Sequence, residues 1–515
     1  MKETENPLDN SLKLIIKSSV IILIGFFVSK LATYLFRIIA ARTYGPEIWG
    51  IYSLALMVLG WITILSSFGL FDGLLRFIPL FRGKNETSKI NYIVNVVKYV
   101  TLILGIFFGV LIYFLAPYIS INLFHNRELI WFLQISSFFI FLTNLSLLYV
   151  IIIRGYERIK QYSLFYNIIQ NTVRLIFLII FIFLGFQGGF VLIAYFLGTV
   201  ALFLVSYAYT KINLKEVYKK YSLKLEQKKE IINNLFIFSI PILFYSTVNT
   251  VLAGVDSFSI GYFRTISEVG IYNVIIPIAI IFTVTTEIFM QLFFPLVTRE
   301  YSKKNYPLIK QLSQQIGKWI FILNMPALIL VLLFPGAVIN ILFGKEYLAG
   351  ENALRLLSIG YFIFSISTVS SNLILIKGKS KTIFFSISAS AIINIILNFI
   401  LVPRYGITGA AFSTTTSLIV LSVIYLINAK ISFNIIPMKK EAIRIFLVAL
   451  IPTIFLLVIK HFIDINALSI IVLGISFLLV YIFLIFLSSC LDDNDMMIIR
   501  AIKRKLLPET RTMHH

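Results

Sequence analysis

Apolar runs separated by short polar stretches recur along the whole chain. Each is long enough, at about 20 residues, to cross a hydrocarbon core about 30 Å thick as a helix. None alternates apolar and polar positions as barrel strands do, and a spanning backbone must satisfy its own hydrogen bonds. The pattern therefore predicts an all-α polytopic membrane protein of about 14 transmembrane helices. They are expected near 15–40, 48–75, 93–119, 128–153, 163–184, 189–210, 233–258, 269–297, 314–340, 352–376, 382–402, 407–428, 442–460 and 466–489. The first run follows a polar start bearing Lys13 and Lys17, is too long for a signal-peptide core and lacks a small-residue cleavage site. It is read as a retained anchor.

Composition agrees, with 59% hydrophobic and 13% charged residues over 515 positions and a mean hydropathy of +0.93. A soluble domain would carry about twice that charged fraction. Cys490 is the only cysteine, so no intrachain disulfide exists; His125, His461, His514 and His515 lack ligand spacing, and neither a metal site nor a cofactor is expected.

The net charge of +22 raises the question of nucleic acid, and its distribution answers it. Only Arg42, Arg127, Arg264, Lys345, Arg404 and Lys460 fall in one alternate set of loops, while Lys30, Arg37, Lys98, Arg174, Lys318 and Arg355 lie in helices or at their mouths. The remaining Lys and Arg occupy the other set of loops and both tails, which predicts cytoplasmic termini in a plasma or inner membrane. The excess is a topology signal that also attracts anionic headgroups, and no nucleic-acid partner is expected.

The chain also repeats itself. Glu47-Ile-Trp-Gly-Ile-Tyr52 is echoed by Glu268-Val-Gly-Ile-Tyr272, Phe77-Ile-Pro-Leu80 by Phe293-Phe-Pro-Leu296, and Lys98-Tyr99 by Lys318-Trp319. Arg154-Gly155 corresponds to Lys377-Gly378, and Gly185-x-x-Gly188 to Gly406-x-x-Gly409. Six helices per repeat keep the orientation, so the halves are parallel repeats about an axis along the membrane normal, a design suited to alternating access. The expected organisation is an N-terminal lobe at 1–232 with its cytoplasmic linker at 211–232, and a C-terminal lobe at 233–430. Two appended helices at 431–490 and a basic tail at 491–515 follow.

Charges within spans are costly and mark cavities or pairs. Lys30 and Arg37 share a helix face, and Asn167, Asn171 and Arg174 share another. The second repeat has Thr250, Ser257 and Leu397 at the matching positions, with Asn249 and Asn394 on neutral polar stripes and acids at Asp256 and Glu287. One reading is a cation-lined cavity in which Lys30, Arg37 and Arg174 bind phosphate. The other is that these cations pair with Asp256, Glu287 or backbone carbonyls. Asp256 and Glu287 are candidates either for a coupling proton or Na⁺ or for a latch. Asp72 with Arg76, and Glu351 with Arg355, are expected as helix-end ion pairs, and Lys318 is expected to snorkel to the inner interface. Pro241, Pro277, Pro326 and Pro452 are expected inside helices, as static bends or gate kinks.

The run Leu35-Phe-Arg-Ile-Ile-Ala-Ala-Arg-Thr-Tyr-Gly-Pro-Glu-Ile-Trp-Gly-Ile-Tyr-Ser-Leu-Ala-Leu56 resembles polysaccharide-transporting members of the multidrug/oligosaccharidyl-lipid/polysaccharide exporter superfamily. So do Phe68-Gly-Leu-Phe-Asp-Gly-Leu-Leu-Arg-Phe-Ile-Pro79 and Phe343-Gly-Lys-Glu-Tyr347 followed by Ala353-Leu354. The resemblance implies a Wzx-type flippase, not an enzyme. Its cargo would be an oligosaccharide on a polyprenyl (pyro)phosphate, held in a first-lobe cationic cavity for which Lys30, Arg37 and Arg174 are suitably placed. It also implies membrane lipids as surroundings and a glycan polymerase or ligase as candidate partner. A multidrug or cation antiporter of the same fold is the alternative; a membrane glycosyltransferase would need a larger extramembrane loop than these spans leave.

Overall fold

The computed structural model describes residues 7–219, 223–438, 441–459 and 467–488, with Cys490 and Asp495. Lys460, His461, His514, His515 and nearly all of the expected basic tail lie outside the described residues. Among those described the secondary structure is helical: α1 (Pro7–Ser67), α2 (Leu70–Gly83), α3 (Thr87–Tyr118), α4 (Glu128–Gly155), α5 (Ile159–Tyr162), α6 (Gln170–Phe183), α7 (Phe190–Asn213) and α8 (Leu225–Phe263) come first. Then follow α9 (Ile266–Ser302), α10 (Tyr306–Leu333), α11 (Pro335–Leu342), α12 (Glu351–Ile376), α13 (Ser380–Phe433), α14 (Glu441–Ile459) and α15 (Ala467–Leu487). Eleven stretches among the described residues are long and apolar enough to cross a membrane. This is a multi-pass membrane protein.

Two of the long helices are bent pairs. Gly45 (φ 77) breaks α1 and Gly406 (φ 55) breaks α13, left-handed conformations that a side chain resists. The span expected at 48–75 is likewise interrupted, because Phe68 (φ 53) and Gly69 (φ 69) turn the chain between α1 and α2. A Cβ on Gly69 would lie 2.5 Å from the Ser239 carbonyl oxygen, so only glycine admits α8 this closely. The span expected at 163–184 opens with a π-helical segment, Ser163–Ile169, a wide turn often found at functional sites. All four prolines expected inside helices are there: Pro241 in α8, Pro277 in α9, Pro326 in α10 and Pro452 in α14.

Contacts divide the chain into two compact units. The first comprises Met1–Ile275, Leu342–Ala349 and Ala391–Ser413. Within it α3, α4 and α7 pack together, α1 lies against α4, α6 and α8, and α2 lies against α3, α4 and α8. Leu70, Leu74 and Ile78 of α2 meet Ile93, Val97, Leu148, Ile152 and Leu235 in its core. Some interior polar groups bond across helices, where lipid offers no alternative partner. Buried Asn144 donates to Ser66 Oγ at 2.9 Å and to the Thr101 carbonyl at 3.2 Å. By contrast Ile103, Phe107, Val110 and Phe114 of α3 are exposed, an apolar face that only acyl chains solvate.

A crossing in this unit joins the two copies of one repeated motif. Gly50-Ile51-Tyr52 and Gly270-Ile271-Tyr272 meet with almost no side chain between them. A Cβ on Gly50 would sit 2.1 Å from the Ile266 carbonyl oxygen, and one on Gly270 would sit 1.8 Å from that of Pro46 and 3.0 Å from Gly50 N.

The second unit comprises Ile276–Ile341, Gly350–Ser390 and Thr414–His515. Here α10 packs on α12, α14 and α15, with Phe321, Met325, Val369, Leu373, Ile445 and Tyr481 in the core. Buried Asn324 donates to the Phe282 carbonyl at 2.8 Å and to Ser365 Oγ at 3.1 Å. Lys318 does not snorkel: it is 1% exposed and its ammonium pairs with Asp495, to which Gln315 also donates. A buried ammonium demands a counter-charge, and a carboxylate 177 residues away supplies it. Glu351 and Arg355 form the expected pair at 3.6 Å. Asp72 and Arg76 do not: Asp72 lies in the field of Arg154, and Arg76 turns to the ring of Phe238.

Candidate functional site

Inside the first unit, α1, α6, α7, α8 and the start of α9 enclose a cavity of 370 Å³. Among the described residues, Arg37 and Arg174 are its charged lining residues and no carboxylate lines it. Arg37 Nη1 donates to the Asn273 carbonyl at 3.0 Å, and its guanidinium carbon stands 5.8 Å from the Trp49 ring centroid. Arg174 is held more firmly. Its Nε donates to the Tyr195 carbonyl at 3.3 Å, its Nη1 to Asn171 Oδ1 at 3.3 Å, and its Nη2 to Thr199 Oγ1 at 3.5 Å. The guanidinium carbon lies 3.8 Å above the Tyr195 ring. Gly198 makes room for the stem, since a Cβ there would be 2.3 Å from Arg174 Cγ.

Neither guanidinium forms an ion pair among the described residues. Tyr52 lies in the electrostatic field of both, its ring 4.9 Å from that of Trp49 and 6.2 Å from that of Tyr195. Two cations, an aromatic wall and neutral polar side chains such as Thr33 and Asn171 face one space with no acid among the described lining residues to neutralise them. Such an arrangement attracts anions, and charge-assisted bonds to phosphate oxygens are the strong interaction it offers.

The expected cations separate here. Arg37 and Arg174 share the cavity, but Lys30 is not among its lining residues. Seven residues put Lys30 on the Arg37 stripe about 10 Å along the axis, at the edge of the cavity, whose α1 lining begins at Ala32. Asn171 lines the cavity, donating to Ser29 Oγ at 2.9 Å, whereas Asn167 donates to Ser163 Oγ at 3.3 Å outside it. Asn249 bonds back to the Tyr245 carbonyl of its own helix at 2.9 Å.

The acid sits beside the cavity, in a cluster of its own. Buried Asp256 accepts from Tyr272 Oη at 2.7 Å and from Asn398 Nδ2 at 2.8 Å. Asn398 Nδ2 is also 3.2 Å from Asn394 Oδ1, and Asn398 Oδ1 is a buried acceptor with no hydrogen-bond partner among the described residues. Next along the chain from Tyr272 and Asp256, Asn273 donates to Ser257 Oγ at 2.9 Å. Thus the carbonyl that Arg37 grips belongs to the residue after the tyrosine that holds the acid. Glu287 belongs to the second unit, where it is exposed. Tyr52, Trp61 and Tyr195 were not expected at the site; aromatics in apolar runs look like ordinary core, and only the repeat, which pairs Tyr52 with Tyr272, singles one out.

Comparison with known proteins fits this architecture. The family profile described as polysaccharide biosynthesis protein matches residues 15–300. A putative O-antigen transporter of Shigella flexneri is 23% identical over 406 residues, covering 78% of this chain and 94% of its own. Among solved structures, the lipid II flippase MurJ in an inward closed conformation aligns with a TM-score of 0.68 at 17% identity, over 95% of this chain and 99% of its own. An inward-facing multidrug resistance MATE family transporter aligns with a TM-score of 0.65 at 16% identity, over 81% and 98%. With more than half of its length matched, the chain belongs to the polysaccharide biosynthesis protein family.

Proposed function

We propose that the protein is a flippase moving an oligosaccharide on a polyprenyl (pyro)phosphate from the cytoplasmic to the outer leaflet by alternating access. The observation that carries this reading is the acid-free cavity lined by Arg37 and Arg174. A cavity for cationic drugs would need the opposite charge, which weighs against the antiporter alternative. The family and the resemblance to an O-antigen transporter point the same way. Counting the bent α1 and α13 as two crossings each, and α15 as one more, gives fourteen spans; the loop charges then put both termini in the cytoplasm of a plasma membrane.

In this reading Arg37 and Arg174 hold the phosphate and Asp256 takes the coupling ion. An unpartnered Asn398 Oδ1 beside the Asp256 carboxylate and the Asn394 amide supplies the oxygen donors that Na⁺ prefers, and a proton on Asp256 is the other candidate. Either ion would weaken the Tyr272 bond to the carboxylate and so act on the adjacent Asn273 carbonyl that steadies Arg37. The test is export of surface glycan in a strain lacking its own flippase. The Arg37→Ala, Arg174→Ala double variant should reach the membrane at normal level and export nothing. Normal export by that variant would overturn the assignment.

A further inference from the structure

A second cleft, of 500 Å³, lies where the end of α2 meets the starts of α3 and α8. Its charged residues are Arg76, Lys84, Lys89, Glu86 and Glu230. Lys89 is neutralised by Glu86 at 2.8 Å. Arg76 is not neutralised. It is exposed, its guanidinium carbon lies 4.3 Å from the Phe238 ring centroid and 5.6 Å from that of Phe77, and it makes no ion pair or hydrogen bond among the described residues. Two rings thus fix the plane of a guanidinium whose N–H fork has no protein acceptor.

Lys84, Glu86 and Glu230 stand at the loop end, Leu80 (40% exposed) lies one turn further along α2, and Arg76 lies a turn beyond it, beside Ile237 (63% exposed) and Phe238. Unneutralised cations interleaved with bare aliphatic side chains match one occupant, a headgroup with its chains. The segments that form the loop end, 76–92 and 211–232, are among the most basic in the chain.

We propose that this cleft binds the phosphate headgroup of an anionic glycerophospholipid of the inner leaflet, with Arg76 as its bidentate partner, Lys84 reaching it past Leu80 as its second cation and the acyl chains along Ile237. The site stands apart from the transport cavity and does not depend on the flippase reading. Phosphate chemistry has two sources, a lipid or the free ion, and the experiment separates them. Native mass spectrometry of the full chain in detergent measures retention of added phosphatidylglycerol, with phosphatidylcholine and inorganic phosphate as comparisons. Wild type should retain phosphatidylglycerol over phosphatidylcholine, and millimolar inorganic phosphate should leave it bound. The Arg76→Gln, Lys84→Gln variant should lose affinity on the order of thirtyfold, two basic residues at about fivefold each. Arg76→Lys, which keeps the charge and is the gentler change for folding, should fall in between because it loses the fork. Equal retention by wild type and both variants would overturn the proposal, as would displacement by inorganic phosphate.

Discussion

Arg37 and Arg174 are not equivalent grips, and the difference is measurable. A guanidinium has five N–H donors. Arg37 spends one on the Asn273 carbonyl, whereas Arg174 spends three, on Tyr195, Asn171 and Thr199, and lays a face on the Tyr195 ring. Arg37 therefore keeps four N–H groups, with a free fork for two phosphate oxygens; Arg174 keeps two, on separate nitrogens whose plane three bonds and the Tyr195 ring already fix, so one phosphate bond is taken for it. A charge-assisted hydrogen bond contributes about 1.5–3 kcal/mol. Taking the lower figure, Arg37→Ala should cost about 3 kcal/mol of binding, on the order of a hundredfold, and Arg174→Ala about 1.5 kcal/mol, on the order of tenfold. Arg37→Lys keeps the charge without the fork and should resemble Arg174→Ala. Trp49 and Trp61 line the cavity and are two of only four tryptophans, so their fluorescence reports occupancy when purified protein is titrated with a short polyprenyl diphosphate. Equal losses for the two alanine variants, or undiminished affinity in Arg37→Ala, would refute the reasoning.

Further outcomes follow from neighbouring contacts. Gly198→Ala would press a methyl onto Arg174 Cγ and the Gln170 carbonyl, 2.3 and 2.6 Å away, so it should cost about 1–3 kcal/mol in thermal unfolding and weaken diphosphate binding as Arg174→Ala does. Asp256→Asn should abolish the dependence of transport on pH or Na⁺, and Tyr272→Phe should shift it; unchanged dependence in both would remove the cluster from coupling. Lys318→Met strands the buried Asp495 carboxylate and should destabilise by about 3–5 kcal/mol, with Lys318→Met, Asp495→Leu recovering most of the loss in a melting assay.

Much of this architecture was legible before any coordinates. Apolar runs of spanning length become helices because lipid leaves the backbone no other partner, and α4, α12 and α14 fall close to their expected ranges. The breaks at Phe68–Gly69 and the π turn at Ser163–Ile169 were not legible, since both depend on what packs against them. The site divides along the same line. Arg37 and Arg174 stand out because charge in a span is expensive, and Asp256 with Asn394 for the same reason. Helical spacing alone fixes a stripe and not a depth, which is why Lys30 reads as a cavity residue and is not one. Which partners close the Asp256 cluster also depended on the fold: Asn398 lies 142 residues away. Lys318 misled for that reason, its carboxylate lying at the far end of the chain.

The bare crossing of Gly50 and Gly270 has a consequence for motion. It is a self-contact of a duplicated unit, the covalent counterpart of the two-fold patch in a homodimer, where one surface meets its own copy. Backbones this close, with the Ile266 side chain reaching over Gly50, form a bearing: little must unmesh for one helix to turn slightly on the other. Two residues onward the copies have taken different jobs, Tyr52 beside the guanidiniums and Tyr272 on the acid. In the proposed mechanism the crossing lies within a helical turn of both tyrosines, so a small rotation there would reach the anion site and the ion site at once.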